Sequence, residues 1–301
     1  MINGRMMIII FSSRFKVALL ASAVLLTACQ KPSDSSATPQ TTTASASTTT
    51  ATASTVTSAV DLSQETTAYK TWVQGQIDQM LPETEKFVAL LKAGKLEEAK
   101  ALYPHARVYF ERSEPIAESF GDLDPRIDNR EADLQPNEKW TGFHAIEKIL
   151  WTQNTTKGTE ALGDQLIADV KELRAKVPTA DVTGDLMVQG SVDLLNEVST
   201  SKITGEEEIF SHTDLYDFKA NIDGAQKIFE ILTPKIKAKD PQLVTELTEK
   251  FAAVNALLAK HQVGEKDYKS YTELSSDDTK ALAEAVNKLG EPLAQMGVVL
   301  Q

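Results

Sequence analysis

The chain has 301 residues, with 43 acidic against 31 basic side chains and a formal net charge of −12. That balance sets it against nucleic acid and anionic membrane surfaces and favours cationic ligands. Its one cysteine, Cys29, excludes an intrachain disulfide and a thiolate metal site.

Arg5, Arg14 and Lys16 precede an apolar run, "VALLASAVLLTA", that ends in Leu26-Thr27-Ala28-Cys29. This pattern predicts a secretory signal peptide over residues 1–28, closed by a lipobox, with Cys29 as the lipidated residue. The run is shorter than the about 20 residues of a membrane-spanning helix. Its removal takes away three cations and no acids, moving the net charge from −12 to −15. Residues 29–60 are the lipidated cysteine followed by Ser/Thr/Ala low-complexity sequence. Such a segment buries too little apolar surface to offset its ordering entropy. It is expected to be a disordered tether, about 30 Å end to end. The folded part is expected over residues 61–301.

There the apolar residues recur at three- and four-residue spacing. Trp72, Val73, Ile77, Met80, Leu81, Phe87, Val88 and Leu91 predict a first helix, with Gly94 as its stop and Pro82 as a candidate kink. A second helix is expected from Leu96 to Phe120, with Pro104 and Pro115 as irregularities. Residues 121–139 read as a loop, and "WTGFHAIEKILW" as a short helix. Five more helical patterns follow, with Thr213 or Asp214 starting one and Ser276 another. Neither an internal repeat nor β-branched alternation with hairpin turns is evident. About seven or eight helices with short connections predict an all-α fold of two packed antiparallel four-helix bundles.

Glu111 and Glu114 share a helix face, with Glu118 a turn further on. Ordinarily such a pair is solvated, yet like charges at this spacing repel by a few tenths of a kcal/mol, which a cation would offset. The loop adds Asp122, Asp124, Asp128, Glu131 and Asp133, interspersed with Arg126 and Arg130. His144 and Glu147 again lie three apart. Alone, H-x-x-E is weak, and a core histidine beside a surface glutamate is the commoner case. Together, Glu111, Glu114, Asp128, His144 and Glu147 make an oxygen-rich set with one nitrogen, presented across a bundle as in di-iron carboxylate proteins. This set suits Fe2+ or Fe3+, with Zn2+ or Cu2+ as alternatives. His212 and Asp214, at a helix start, are either capping groups or further ligands. H-E-x-x-H, G-x-S-x-G and a nucleophilic cysteine are all missing, so no enzymatic activity is expected. A zinc peptidase would need His212 as a distant third ligand.

"YFERSEPIAESFGDLDPRIDNRE", "WTGFHAIEKILW" and "SHTDLYDFKANIDGA", in that order, resemble the imelysin-like domain of EfeO/EfeM-type iron-uptake proteins. The likeness runs from about residue 62 to the C-terminus. It implies two four-helix bundles and an iron-binding role in the periplasm or at the cell surface. The implied partners are an inner-membrane iron permease and a haem peroxidase-like protein. The family's H-x-x-E falls on His144 and Glu147, its upstream glutamates on Glu111 and Glu114, and its loop aspartate on Asp128. The chain resembles the short EfeM form, without an N-terminal cupredoxin domain, so copper-dependent oxidation of iron is not expected. Gln30 after the cysteine points to an outer-membrane anchor if the cell has two membranes. The alternative functions are metal-assisted binding of an anionic polysaccharide and zinc peptidase activity.

Overall fold

Helix α1 (Ser63–Lys92) buries Tyr69, Val73, Ile77, Met80, Phe87, Val88 and Leu91, the stripe its apolar spacing predicts, and runs unbroken through Pro82. The structure, a computed structural model, describes residues 60–301. The expected signal peptide, the lipidated Cys29 and the Ser/Thr/Ala tether lie outside the described residues. Gly94 follows α1 with φ +72, a left-handed conformation that lets the chain reverse within three residues into α2 (Leu96–Ser113).

The second helix was expected to reach Phe120. It stops at Ser113, and Glu114–Phe120 forms a 3-10 turn in which Ile116 leaves helical geometry. Pro115 explains the break, because it has no N–H to continue the ladder and its ring clashes with the carbonyl four residues back. The segment read as a loop contains α3 (Leu123–Asp128). Then come α4 (Gly142–Thr152), α5 (Glu160–Lys176), α6 (Gly184–Thr200), α7 (Asp214–Lys239), α8 (Pro241–Ala259) and α9 (Ser276–Leu300). The described residues thus hold nine α-helices, α3 being the unexpected one. They also hold a small antiparallel hairpin, β1 (Gln262–Val263) and β2 (Asp267–Tyr268), which turns at Gly264 with φ +66 and carried no sequence signal. Helix α9 is capped by Ser275, one residue before the expected start, in a capping box with Asp278.

Helices α6, α7, α8 and α9 pack as a closed ring, each against the next. Helices α1, α2, α4 and α5 form a second ring, floored by α3, and α2 packs along α7 to join the two. Short connections, such as the single Asp240 between α7 and α8, force antiparallel neighbours. Among the described residues no helix is long and apolar enough to cross a membrane.

One glycine positions the site. Gly142 starts α4 at φ +84, and a Cβ there would lie 2.1 Å from the Ile127 carbonyl oxygen. The tight approach brings the first turn of α4 against the end of α3. Thr141 Oγ1 and Trp140 Nε1 reinforce it, donating to the carbonyls of Arg126 and Asn129 at 2.8 and 2.7 Å. Gly142→Ala is therefore expected to cost about 2–3 kcal/mol through backbone strain and overpacking. Urea unfolding at wild-type stability would show that this junction is not rigid.

Candidate metal centre

Helix α4 is enclosed on almost every side. Phe143, Ile146 and Leu150 are fully buried in the core, and His144 and Glu147 are buried with them. The bland reading of H-x-x-E, a core histidine beside a surface glutamate, therefore does not describe this helix. Glu147 is held from three directions. Its Oε2 meets His144 Nδ1 at 3.2 Å, and its Oε1 accepts the backbone N–H groups of Phe210 and Ser211 at 3.0 and 2.7 Å. Burial alone would raise this carboxyl, but His144 and the Ser211 N–H outweigh it and hold Glu147 below its ordinary range.

A carboxylate on Nδ1 places the histidine proton there and leaves the Nε2 lone pair as an acceptor. That Nε2 is buried without a hydrogen-bond partner. It faces Asp128 Oδ1 at 3.6 Å and Glu207 Oε1 at 3.9 Å. A buried nitrogen lone pair between two carboxylate oxygens is costly unless a cation joins them.

Two fixed cations organise the acids. Arg107, buried on α2, contacts Glu111 and Glu208 at 2.5 Å, Asp217 at 3.5 Å, Glu207 at 3.6 Å, and Asp128. Lys202 Nζ lies 3.0 Å from Glu114, 3.3 Å from Glu111 and 3.4 Å from Glu207. Asn221 Nδ2 donates to Glu111 at 3.0 Å and to Glu114 at 2.6 Å. Carboxylates still outnumber these cations, and the excess appears in their protonation. Burial pushes Asp128 up to about 7, against the pull of Arg107. Burial likewise takes Asp214 to about 6 and lifts Asp217 and Glu208 well above the carboxylate range. Glu111 goes the other way: Lys202 and Arg107 overcome its burial and hold it very low.

Two sets of ligand atoms lie within 4.8 Å of one another: Asp128, His144 and Glu207, and His144, Glu147 and Glu208. Three residues singled out from the sequence, Asp128, His144 and Glu147, fall in these sets. Glu111 and Glu114 stand beside them, engaged by Lys202 and Asn221. Glu118 is exposed and lines a cleft with Glu114, Asp124, Asp193 and Glu197, at the edge of the cluster. Asp214 Oδ1 accepts the Glu208 N–H at 3.2 Å, so it shapes the glutamate loop. His212 shapes the same loop through its backbone. At φ +58 its N–H donates to the Glu208 carbonyl at 2.7 Å and its carbonyl accepts from Tyr271 at 2.9 Å. Sequence reasoning passed over Arg107, Lys202, Asn221, Glu207 and Glu208. The one available signal was the acidic run Glu206-Glu207-Glu208 closing on a helix start.

Two helical bundles meeting on a buried cluster of carboxylates and one imidazole define an all-α domain of the imelysin type. Residues 65–296 match the imelysin family, designated Peptidase_M75, and the chain belongs to that family. Over 287 residues it is 50% identical to an "Efem/EfeO family lipoprotein" of Staphylococcus haemolyticus (strain JCSC1435), covering 94% of this chain and 98% of the relative. A protein of the same description from Staphylococcus aureus (strain MSSA476) is 47% identical over 245 residues, covering 80% of this chain and 86% of the relative. The chain is an EfeO/EfeM-type protein.

Proposed function

We propose that the chain is the metal-capturing lipoprotein of an Efe-type iron-uptake system. It holds iron between Asp128, His144 and Glu207 and passes it to a membrane permease. A haem peroxidase-like protein is the further partner, and lipid on Cys29 is the tether to the membrane. The observation that carries this reading is the buried, unpartnered His144 Nε2 aimed at two carboxylate oxygens. Carboxylate and neutral imidazole together suit iron, and would also take Zn2+ or Cu2+. Capture fits this cluster better than hydrolysis does. Glu147, the carboxylate of the H-x-x-E pair, is already engaged by His144 and two backbone N–H groups, which leaves it poorly placed to serve as a general base.

Anaerobic titration of the purified protein with Fe2+ tests this. Wild type is expected to bind one ion at the set. His144→Ala and Glu207→Gln are each expected to weaken it about a hundredfold or more, at or beyond the loss seen when a ligand's supporting group is removed. Undiminished binding in both variants would sink the assignment.

Anionic polysaccharide binding, the second reading, has one feature in its favour. A cleft of about 560 Å³ is lined by Tyr109, Tyr216 and Tyr268, an aromatic wall on which a sugar ring can stack, while Arg112 and Lys219 beside it are paired with Asp223.

A further inference from the structure

Lys202 begins a short 3-10 turn after α6, yet its side chain is only 2% exposed. Its ammonium points into the cluster and lies within 3.0–3.4 Å of four carboxylate oxygens, both from Glu114 and one each from Glu111 and Glu207. An ammonium has three protons to donate. Four oxygens around it are therefore closer to the oxygen shell of a bound cation than to a set of paired hydrogen bonds. Asn221 Nδ2 donates to two of these same oxygens, Glu111 Oε2 and Glu114 Oε2, and so fixes them in place. The shell borders the Asp128–His144–Glu207 set through a shared atom. Glu207 Oε1 is 3.4 Å from Lys202 Nζ and 3.9 Å from His144 Nε2.

We propose that Lys202 is a built-in counter-cation. It fills a second cation position, formed by Glu111, Glu114 and Glu207, so that the domain takes one metal ion where its carboxylates alone would take two. The proposal rests on metal capture at the neighbouring set. A tethered ammonium competes with any free ion at a high effective concentration, because it cannot diffuse away. It also draws on the Glu207 oxygen that the metal needs, which weakens the first ion's hold and suits a protein that must give its cargo up. Arg107 is different: it packs over the rings of Tyr103 and Phe143 and spreads its contacts over five acids, so it braces the cluster and fills no single shell.

The test is Zn2+ stoichiometry, by equilibrium dialysis with elemental analysis, on wild type, Lys202→Met and Lys202→Arg. The expected result is one ion per chain in wild type and in Lys202→Arg, and two in Lys202→Met. One ion in both wild type and Lys202→Met overturns the proposal and leaves metal capture standing. No ion in wild type with one in Lys202→Met does the reverse, and no ion in either overturns both. If Lys202→Met melts below wild type without metal, Zn2+ or Mg2+ is expected to restore its melting temperature. Failure of both ions to do so also overturns the proposal.

Discussion

Replacing Arg107 with methionine is expected to lower the stability of the domain by about 3–5 kcal/mol at pH 8, the usual cost of removing one partner from a buried ion cluster. The guanidinium is 1% exposed and is the one group in contact with Glu111, Asp128, Glu207, Glu208 and Asp217 together. Methionine fills much of the same space without charge, so the loss would report the five carboxylates left facing one another. Those carboxyls can respond by taking up protons, and the deficit should therefore shrink at pH 5. Arg107→Lys should recover only part of the stability, since an ammonium cannot fork toward acids on opposite sides. Guanidinium unfolding of the three proteins at both pH values makes the check. An Arg107→Met variant within about 1 kcal/mol of wild type at pH 8 would show that the cluster does not depend on this residue.

The fold was readable where periodicity had length to act on. Helix α1 repeats its apolar spacing over 30 residues, and Gly94 marks where it must end. Helix α3 has six residues, under two turns, too few for a periodic pattern to emerge from "LDPRID". In the candidate site, His144 and Glu147 could be found because three residues on one helix fix their relative direction. Asp128 entered as the further carboxylate that the loop could supply, and the family resemblance put its loop aspartate on the same residue. Glu207 and Glu208 could not be found that way. An acidic run such as "GEEEIF" normally marks solvated chain, and these two are buried only because the tertiary fold brings Arg107, some hundred positions earlier, beneath them. Lys202 was hidden for the same reason. A lysine at a helix end reads as a surface group, and nothing local says that its ammonium turns inward to Glu111 and Glu114.

Without added metal, the domain is expected to be more stable at pH 5 than at pH 8, the opposite of a protein whose acids are mostly stabilised by ion pairs. The sign follows from the direction of the shifts. Burial takes Asp128 from 3.8 to about 7, and takes Asp124 and Asp214 to about 6. A carboxyl raised on folding binds its proton more tightly in the native state than in the unfolded chain. Its contribution is complete below the unfolded value, near 4, and is lost as the pH rises through the folded value. Glu111 and Glu147 are shifted downward, so their contributions change only in the acid range below about 4.5 and do not oppose the trend between pH 5 and 8. Between pH 5 and 8 a single carboxyl displaced as far as Asp128 loses about 3 kcal/mol of this linkage. For a domain of this size that corresponds to roughly 10 °C in melting temperature. Saturating Zn2+ supplies the charge that the protons otherwise neutralise. The ion should therefore raise the melting temperature strongly at pH 8 and little at pH 5, flattening the profile. Calorimetric scans from pH 5 to 8, with and without Zn2+, read both effects. A melting temperature that rises with pH in the absence of metal would mean that these carboxyls are ionised in the folded protein. The charge held by Arg107 and Lys202 would then suffice for the cluster, and the demand for a further cation would disappear.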